Sequence, residues 1–307
     1  MSMSAKRNAT PPPPTGMFMQ AEIASQPLVW AQAAALSSER AAMPPAGHRV
    51  AVVGCGTSWF MAQAYASLRE SFGHGITDAF AASEAFIDRG YDEIVSISRS
   101  GTTTEVLDLL SRVKGTTRTI GIVGDPASPM NELADEVIQL SFADEQSVVQ
   151  TRFATAALAF LRASLGEDLS RAIADAEQAT QSAITEELIT AEQYTFLGRG
   201  WTVGLAHEAA LKMREASQAW TESYPAMEYR HGPISIAAPG RVTWAFGSVP
   251  VGLADQVRAT GAHFEHHAID PLAELIRAQR VALERARRAG LDPDKPRNLS
   301  RAVILGN

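Results

Sequence analysis

Short apolar runs in this chain stop at turns rich in glycine and hydroxyl residues, and each turn hands over to a helical stretch. Residues 50–53 form such a run, closing in Gly54-Cys55-Gly56-Thr57-Ser58 ahead of a helical stretch over 59–71. Residues 94–97 form the next, followed by Ser98-Arg99-Ser100-Gly101-Thr102-Thr103-Thr104-Glu105 and a helix over 106–113. Residues 119–123 and 137–140 read as a third and a fourth strand. Strands this short and this apolar, alternating with helices, describe an α/β protein whose parallel sheet is covered on both faces.

The rhythm stops over 153–191, where two long helical patterns follow one another with no strand between them. It restarts at Phe196-Leu197-Gly198-Arg199-Gly200, with a helix over 205–220, strands over 242–246 and 263–268, and a terminal helix over 271–289. The strand, glycine turn and helix theme therefore occurs twice, about 145 residues apart, which indicates two similar modules, the second shorter and with fewer strands. The expected division is a disordered proline-rich tail over 1–17, a first module with an N-terminal helix over 18–185, and a second with a C-terminal tail over 186–307.

A formal charge of −7 provides no field for nucleic acid or an anionic membrane, so neither is an expected partner. Any phosphate must be recognised by backbone N–H groups, hydroxyls and helix N-termini. The one cysteine, Cys55, excludes a disulfide or a cysteine metal cluster within the chain. No apolar run reaches the roughly 18–20 residues that span a bilayer, and Pro11–Pro14 follow Lys6 and Arg7 where a signal peptide has its apolar region. A soluble cytoplasmic protein without a cofactor is the expectation.

Gly54–Ser58 lies where a buried strand gives way to a helix, the position at which open parallel sheets bind ligands. Glycine lets an anion approach the backbone, and Thr57 and Ser58 add hydroxyl donors. A plain capped turn explains the stretch equally well, and without G-x-G-x-x-G spacing it is a poor dinucleotide site. The second turn is more telling: five of the seven residues 98–104 carry hydroxyls, and capping a helix requires one. Two such turns on neighbouring strands converge on one site.

On the helix over 205–220, Glu208 and Glu215 are seven residues apart and share a face with Lys212 between them. A carboxylate there is able to shuttle a proton between adjacent sugar carbons. Taken alone, the spacing favours an exposed Glu-Lys-Glu ladder, worth a few tenths of a kcal/mol. His231, before Gly232-Pro233, sits on a turn from which it projects into a cleft. The other histidines, His48, His74, His207, His263, His266 and His267, show no metal-ligand spacing, and no metal is expected.

Together these segments resemble the sugar isomerase (SIS) family, in the branch that forms the isomerase half of the glucosamine-6-phosphate synthases. The resemblance runs from Met19-Gln20-Ala21-Glu22-Ile23 and Gln26-Pro27 through Cys55–Ser58 and Ser98–Thr103. It continues through Glu208–Glu215 and Arg230–Pro233 to Asp292–Leu299, in the family's order. It implies two SIS modules, each a doubly wound, flavodoxin-like parallel sheet, in a homodimer with sites near the interface. The sugar phosphate is then held by the residues matching Ser58, Ser98, Arg99, Ser100 and Thr103, with Gly56, Thr57, Val148, Gln150 and Arg301 also at the substrate. Glu215 matches the base that moves a proton between C1 and C2. His231 matches the residue that assists ring opening from the partner subunit, and Glu208 and Lys212 match supporting site residues.

The departures from the pattern bear on chemistry. Arg99 stands where the synthases have glutamine, which implies a charged contact to phosphate. Arg301 occupies the place of the family's Schiff-base lysine, and an arginine cannot form an imine. The loop over 145–152 is also altered. The chain opens on a tail in place of the glutaminase domain, so glutamine-dependent amination is not expected. The implied function is an aldose–ketose isomerase or an aminosugar-phosphate deaminase/isomerase, with a non-catalytic sugar-phosphate sensor as the rival reading.

Overall fold

The computed structural model describes residues 15–305. In chain order its first half comprises α1 (Met17–Ala34), α2 (Ser37–Arg40), β1 (Val50–Gly54), α3 (Thr57–Ser71), β2 (Thr77–Ala81), β3 (Glu93–Ser98), α4 (Thr104–Val113), β4 (Arg118–Val123), α5 (Met130–Leu133), β5 (Glu136–Gln139), α6 (Arg152–Ser164) and α7 (Ser170–Gln181). The second half adds α8 (Glu186–Thr190), β6 (Gln193–Gly198), α9 (Thr202–Ser217), β7 (Trp220–Pro225), β8 (Arg241–Ala245), α10 (Leu253–Ala259), β9 (His263–Glu265) and α11 (Pro271–Arg288). Most of the tail expected over 1–17 lies outside the described residues, and Met17 already begins α1.

The strands form two parallel sheets, one in the order β2-β1-β3-β4-β5 and the other in the order β7-β6-β8-β9. In the first sheet the chain leaves β1 for a neighbour on one side and later returns to place β3 on the other. The turns after β1 and β3 therefore part at the carboxyl edge and open a crevice. Both faces are buried, by simple alternation along each strand. Val50 and Val52 belong to a central core that also takes in Tyr194 and Phe196 of β6 and apolar residues of α1, α6, α9 and α11. Ala51 and Val53 point the other way, to Ile94, Leu109 and Leu110. Leu197 does the same in the second sheet, with Tyr229, Leu253 and Val257. The central core thus joins the two sheets.

Two strands escape the sequence pattern, and both lie at sheet edges. In β2 only the first residue is buried, and β7 has no buried residue. Half-exposed strands carry mixed residues, so TDAFA and WTESYP lack the apolar signature. The helix expected over 205–220 ends at Ser217, because Gln218 turns left-handed (φ 55°) and Trp220 starts β7. None of the described helices is long and apolar enough to cross a membrane.

The halves meet most closely where α9 crosses α3. A Cβ placed on Gly204 would lie 2.4 Å from the Phe60 carbonyl oxygen and 3.0 Å from the Ala64 nitrogen. Further along the same pair, Leu211 comes within 4.0 Å of a Cβ placed on Gly56. Overpacking costs about 1–3 kcal/mol, against the ~1 kcal/mol that a helix gains from alanine over glycine. The obstacle here is backbone, which cannot rotate aside, so Gly204→Ala is expected to be a net destabilisation, read as a lower urea midpoint. An unchanged or raised midpoint would show that the helices separate freely.

Candidate active site

The turn after β1 is built on Gly56, whose φ of 54° and ψ of −123° suit glycine alone, and it starts α3 with Thr57 and Ser58. The turn after β3 pivots on Gly101 (φ 60°), where a Cβ would stand 2.2 Å from Ser128 Oγ. Its hydroxyls are ordered among themselves. Ser98 Oγ accepts from the Gly101 N–H at 3.1 Å, and Ser100 Oγ accepts from Thr102 N–H and Oγ1–H at 3.2 and 2.9 Å. Thr103 is the N-cap residue of α4, yet its side chain makes no capping bond and lies 3.5 Å from Ser98 Oγ. Both turns open onto one cavity of about 190 Å3. Helix N-termini are a general basis of anion binding, although here the N–H groups of Ser58 and Thr104 already donate to the Cys55 and Val303 carbonyls (3.1 and 3.3 Å).

Of the residues expected at the site, Gly56, Thr57, Ser58, Ser98, Arg99, Ser100, Thr103, Val148, Gln150, Lys212, Glu215 and Arg301 line this cavity. Glu208 lies beneath it and is fully buried. His231 does not line it; it is exposed on the turn that follows Arg230. Sequence reasoning missed Leu299, Ser300, Ala302 and Val303, which cross the cavity mouth as a C-terminal strap. The strap is tied down by Thr104 N–H to Val303 O (3.3 Å) and by Leu305 N–H to Thr104 Oγ1 (3.0 Å).

The two arginines of the cavity lining are both held by protein groups. Arg99 spends its terminal nitrogens on carbonyl oxygens, Nη1 donating to Ser147 (3.0 Å) and Nη2 to Arg301 (2.8 Å), with the Glu145 carboxylate 3.9 Å away. It fastens the strap to the loop before α6. Arg301 turns to that loop as well, donating to both Asp144 carboxylate oxygens (2.5 and 2.7 Å) and to the Glu145 carbonyl. The loop is held from behind by Glu22, whose Oε1 accepts from the N–H groups of Gln146 (2.6 Å) and Ser147 (3.3 Å). Glu145 closes it by accepting from the N–H groups of Thr151 and Arg152, both at 2.6 Å. What the cavity offers an anion is chiefly hydroxyl and backbone donors.

Glu208, Lys212 and Glu215 are no exposed ladder. Lys212 is 1% exposed, and its ammonium touches Glu215 Oε2 and stands 3.6 Å from Glu208 Oε1. Burial pulls the Lys212 pKa down, but the attraction of Glu208 and Glu215 outweighs it, and the net direction is up. Lys212 is therefore a fixed cation. Burial pushes the Glu208 carboxyl up to about 8, against the pull of Lys212. With a folded value above the 4.5 of the free side chain, the folded chain holds a proton that the unfolded chain releases. That contribution is complete below 4.5 and is lost as the pH rises through about 8. Stability to urea is expected to decline across this window, with a shallower decline in Glu208→Gln. Equal slopes in the two proteins would refute the assignment.

Residues 46–165 match the SIS domain. Over 84% of its length the chain is 28% identical to the glutamine–fructose-6-phosphate aminotransferase (isomerizing) of Gloeobacter violaceus, covering 52% of that protein. The chain thus spans about half the length of the curated relatives it matches. Among solved structures, a glucosamine-6-phosphate deaminase from Thermotoga maritima superposes with a TM-score of 0.78 at 23% identity, over 94% of this chain and 99% of that one. A tagatose-6-phosphate ketose/aldose isomerase from Escherichia coli gives 0.77 at 17% identity, over 95% and 97%. The SIS match contains both hydroxyl-rich turns and stops short of α9, so the carboxylates reach the cavity from outside the matched segment.

Proposed function

We propose that the chain binds a sugar phosphate or aminosugar phosphate in this cavity and acts as an aldose–ketose isomerase or a deaminase/isomerase. Glu215 moves a proton between C1 and C2. The observation that carries the reading is the meeting, in one cavity, of the hydroxyl-rich turns after β1 and β3 with the Lys212–Glu215 pair of α9. The turns suit the phosphate; the pair suits the opposite end of the sugar. Lys212 keeps a positive charge beside the base, where it stabilises the enediolate that proton removal creates. Arg301 cannot capture an open-chain carbonyl as an imine, so ring opening falls to acid–base help. We assign that help to His231 of a partner subunit in a homodimer, since His231 is exposed and outside its own chain's cavity. Each half is read as a doubly wound, flavodoxin-like SIS module, 18–185 and 186–307. The activities named for the aminotransferase, deaminase and isomerase relatives belong to the same chemical class.

One observation favours a second reading, a sensor without turnover: the residue in the lysine's place is an arginine committed to Asp144. Proton exchange decides between them. The protein is incubated in D2O with glucosamine-6-phosphate and fructose-6-phosphate in turn, and deuterium at C1 and C2 is followed by NMR. Deuterium entry supports the enzyme, and released ammonia identifies a deaminase. Tight binding with no exchange in any sugar phosphate overturns catalysis in favour of the sensor.

A further inference from the structure

At the carboxyl edge of the second sheet, one oxygen or nitrogen from each of Glu265, His267 and Glu274 lies within 4.8 Å of the others. Glu265 ends β9, His267 follows two residues on, and Glu274 sits in the first turn of α11. That helix end favours an ionised carboxylate. Glu274 is 1% exposed, and its Oε1 accepts from Trp244 Nε1–H at 2.6 Å and lies 3.0 Å from His267 Nδ1. Its Oε2 is buried with no partner. A bare buried carboxylate oxygen costs several kcal/mol unless something positive comes to it.

The charge balance points the same way. Among the described residues, the ion pairs of this cluster set the carboxylates of Glu187, Glu265 and Glu274 against the Arg277 guanidinium, with His263 and His267 between them. Arg277 reaches Glu265 Oε1 at 3.1 Å and stays 3.9 Å from Glu274 Oε1. Three carboxylates thus face one guanidinium, an acidic balance that suits a bound cation. None of Glu265, His267 and Glu274 lines the cavity of the proposed reaction.

We propose that Glu265, His267 and Glu274 bind a divalent transition-metal ion of the zinc class. One imidazole with two carboxylates is a donor set for borderline ions rather than for magnesium or calcium, which prefer oxygen throughout. Ligand atoms around a tetrahedral zinc stand about 3.3 Å apart, so the group closes by modest side-chain movement. The ion joins β9 to α11, and its role is structural. His267, partly exposed, is the side from which an ion enters. Sequence spacing hid the group because Glu274 belongs to another element and the nearby His263 and His266 obscure the pattern.

The test is equilibrium dialysis of the full chain, stripped with a chelator, against Zn2+, with bound metal quantified. The wild type is expected to retain about one equivalent more than His267→Ala or Glu274→Gln, with the Kd at least tenfold weaker in either variant. Added Zn2+ is expected to raise the Tm of the wild type and to change the emission of Trp244, an effect absent in Trp244→Phe. Circular dichroism in chelator establishes that each variant is folded. Zinc retained equally by the wild type and both variants, or no zinc retained by the wild type, overturns the proposal.

Discussion

Glu215→Gln is expected to lower deuterium exchange at C1 and C2 by about 10²–10⁴-fold, the usual contribution of one general base, while sugar-phosphate affinity changes by less than about threefold. The asymmetry follows from position. Glu215 belongs to the last turn of α9, whereas the donors proposed to hold the phosphate belong to the turns after β1 and β3. Glutamine keeps the shape and still accepts from the Lys212 ammonium, so the cavity survives and only the proton acceptor is lost. Exchange within tenfold of the wild type would remove Glu215 from the chemistry. A matching collapse of affinity would mean instead that Glu215 holds the ground-state sugar.

Lys212→Met is expected to cost about 3 kcal/mol of stability, the lower end of what breaking a buried ion pair costs. Two carboxylates then share a pocket with no cation between them. Glu208, already inclined to hold its proton, takes it up more firmly, which keeps the penalty from climbing further. The double variant Glu208→Gln/Lys212→Met removes one of the stranded carboxyls and is expected to recover at least a third of the loss, as a double-mutant cycle in urea would reveal. A single-variant loss below about 1 kcal/mol would mean that the pair is solvated in solution and that the burial of Lys212 is not maintained.

The parts of the fold that could be read in the sequence are those whose residues face protein on both sides. The strands β1 and β3 are buried at every position, so their composition alone separates them from helices and loops. The edge strands β2 and β7 are half solvated, and nothing in their residues marks them. The same distinction governs the site. Glycine and hydroxyl residues at the end of a buried strand point to a ligand turn where, as after β3, there are more hydroxyls than capping a helix requires. The seven-residue spacing of Glu208 and Glu215 fixes a shared helix face but says nothing about what covers it, and taken alone it favours an exposed ladder. Cover comes from residues far away in the chain, including α3 and the strap after Asn298. Arg99 and Arg301 illustrate the same limit: their charge is legible, but whether a guanidinium meets a ligand or a carbonyl oxygen depends on a loop some 50 residues away from the first and 155 away from the second.

The crossing of α3 and α9 has a consequence for which sugars fit. One rod begins at Thr57 and Ser58, beside the place proposed for the phosphate, and the other carries Glu215 near its end. With the glycine contact at Phe60 and Ala64 locking the rods together, the gap between anchor and base is set by rigid parts, not by loops that could stretch. Such a frame works as a caliper. With the phosphate and the base placed as proposed, a sugar one carbon shorter is expected to leave its C1 and C2 short of the carboxylate, and one carbon longer to overshoot it. On that proposal, discrimination by chain length would come from the helix packing, before any hydroxyl on the sugar has been read.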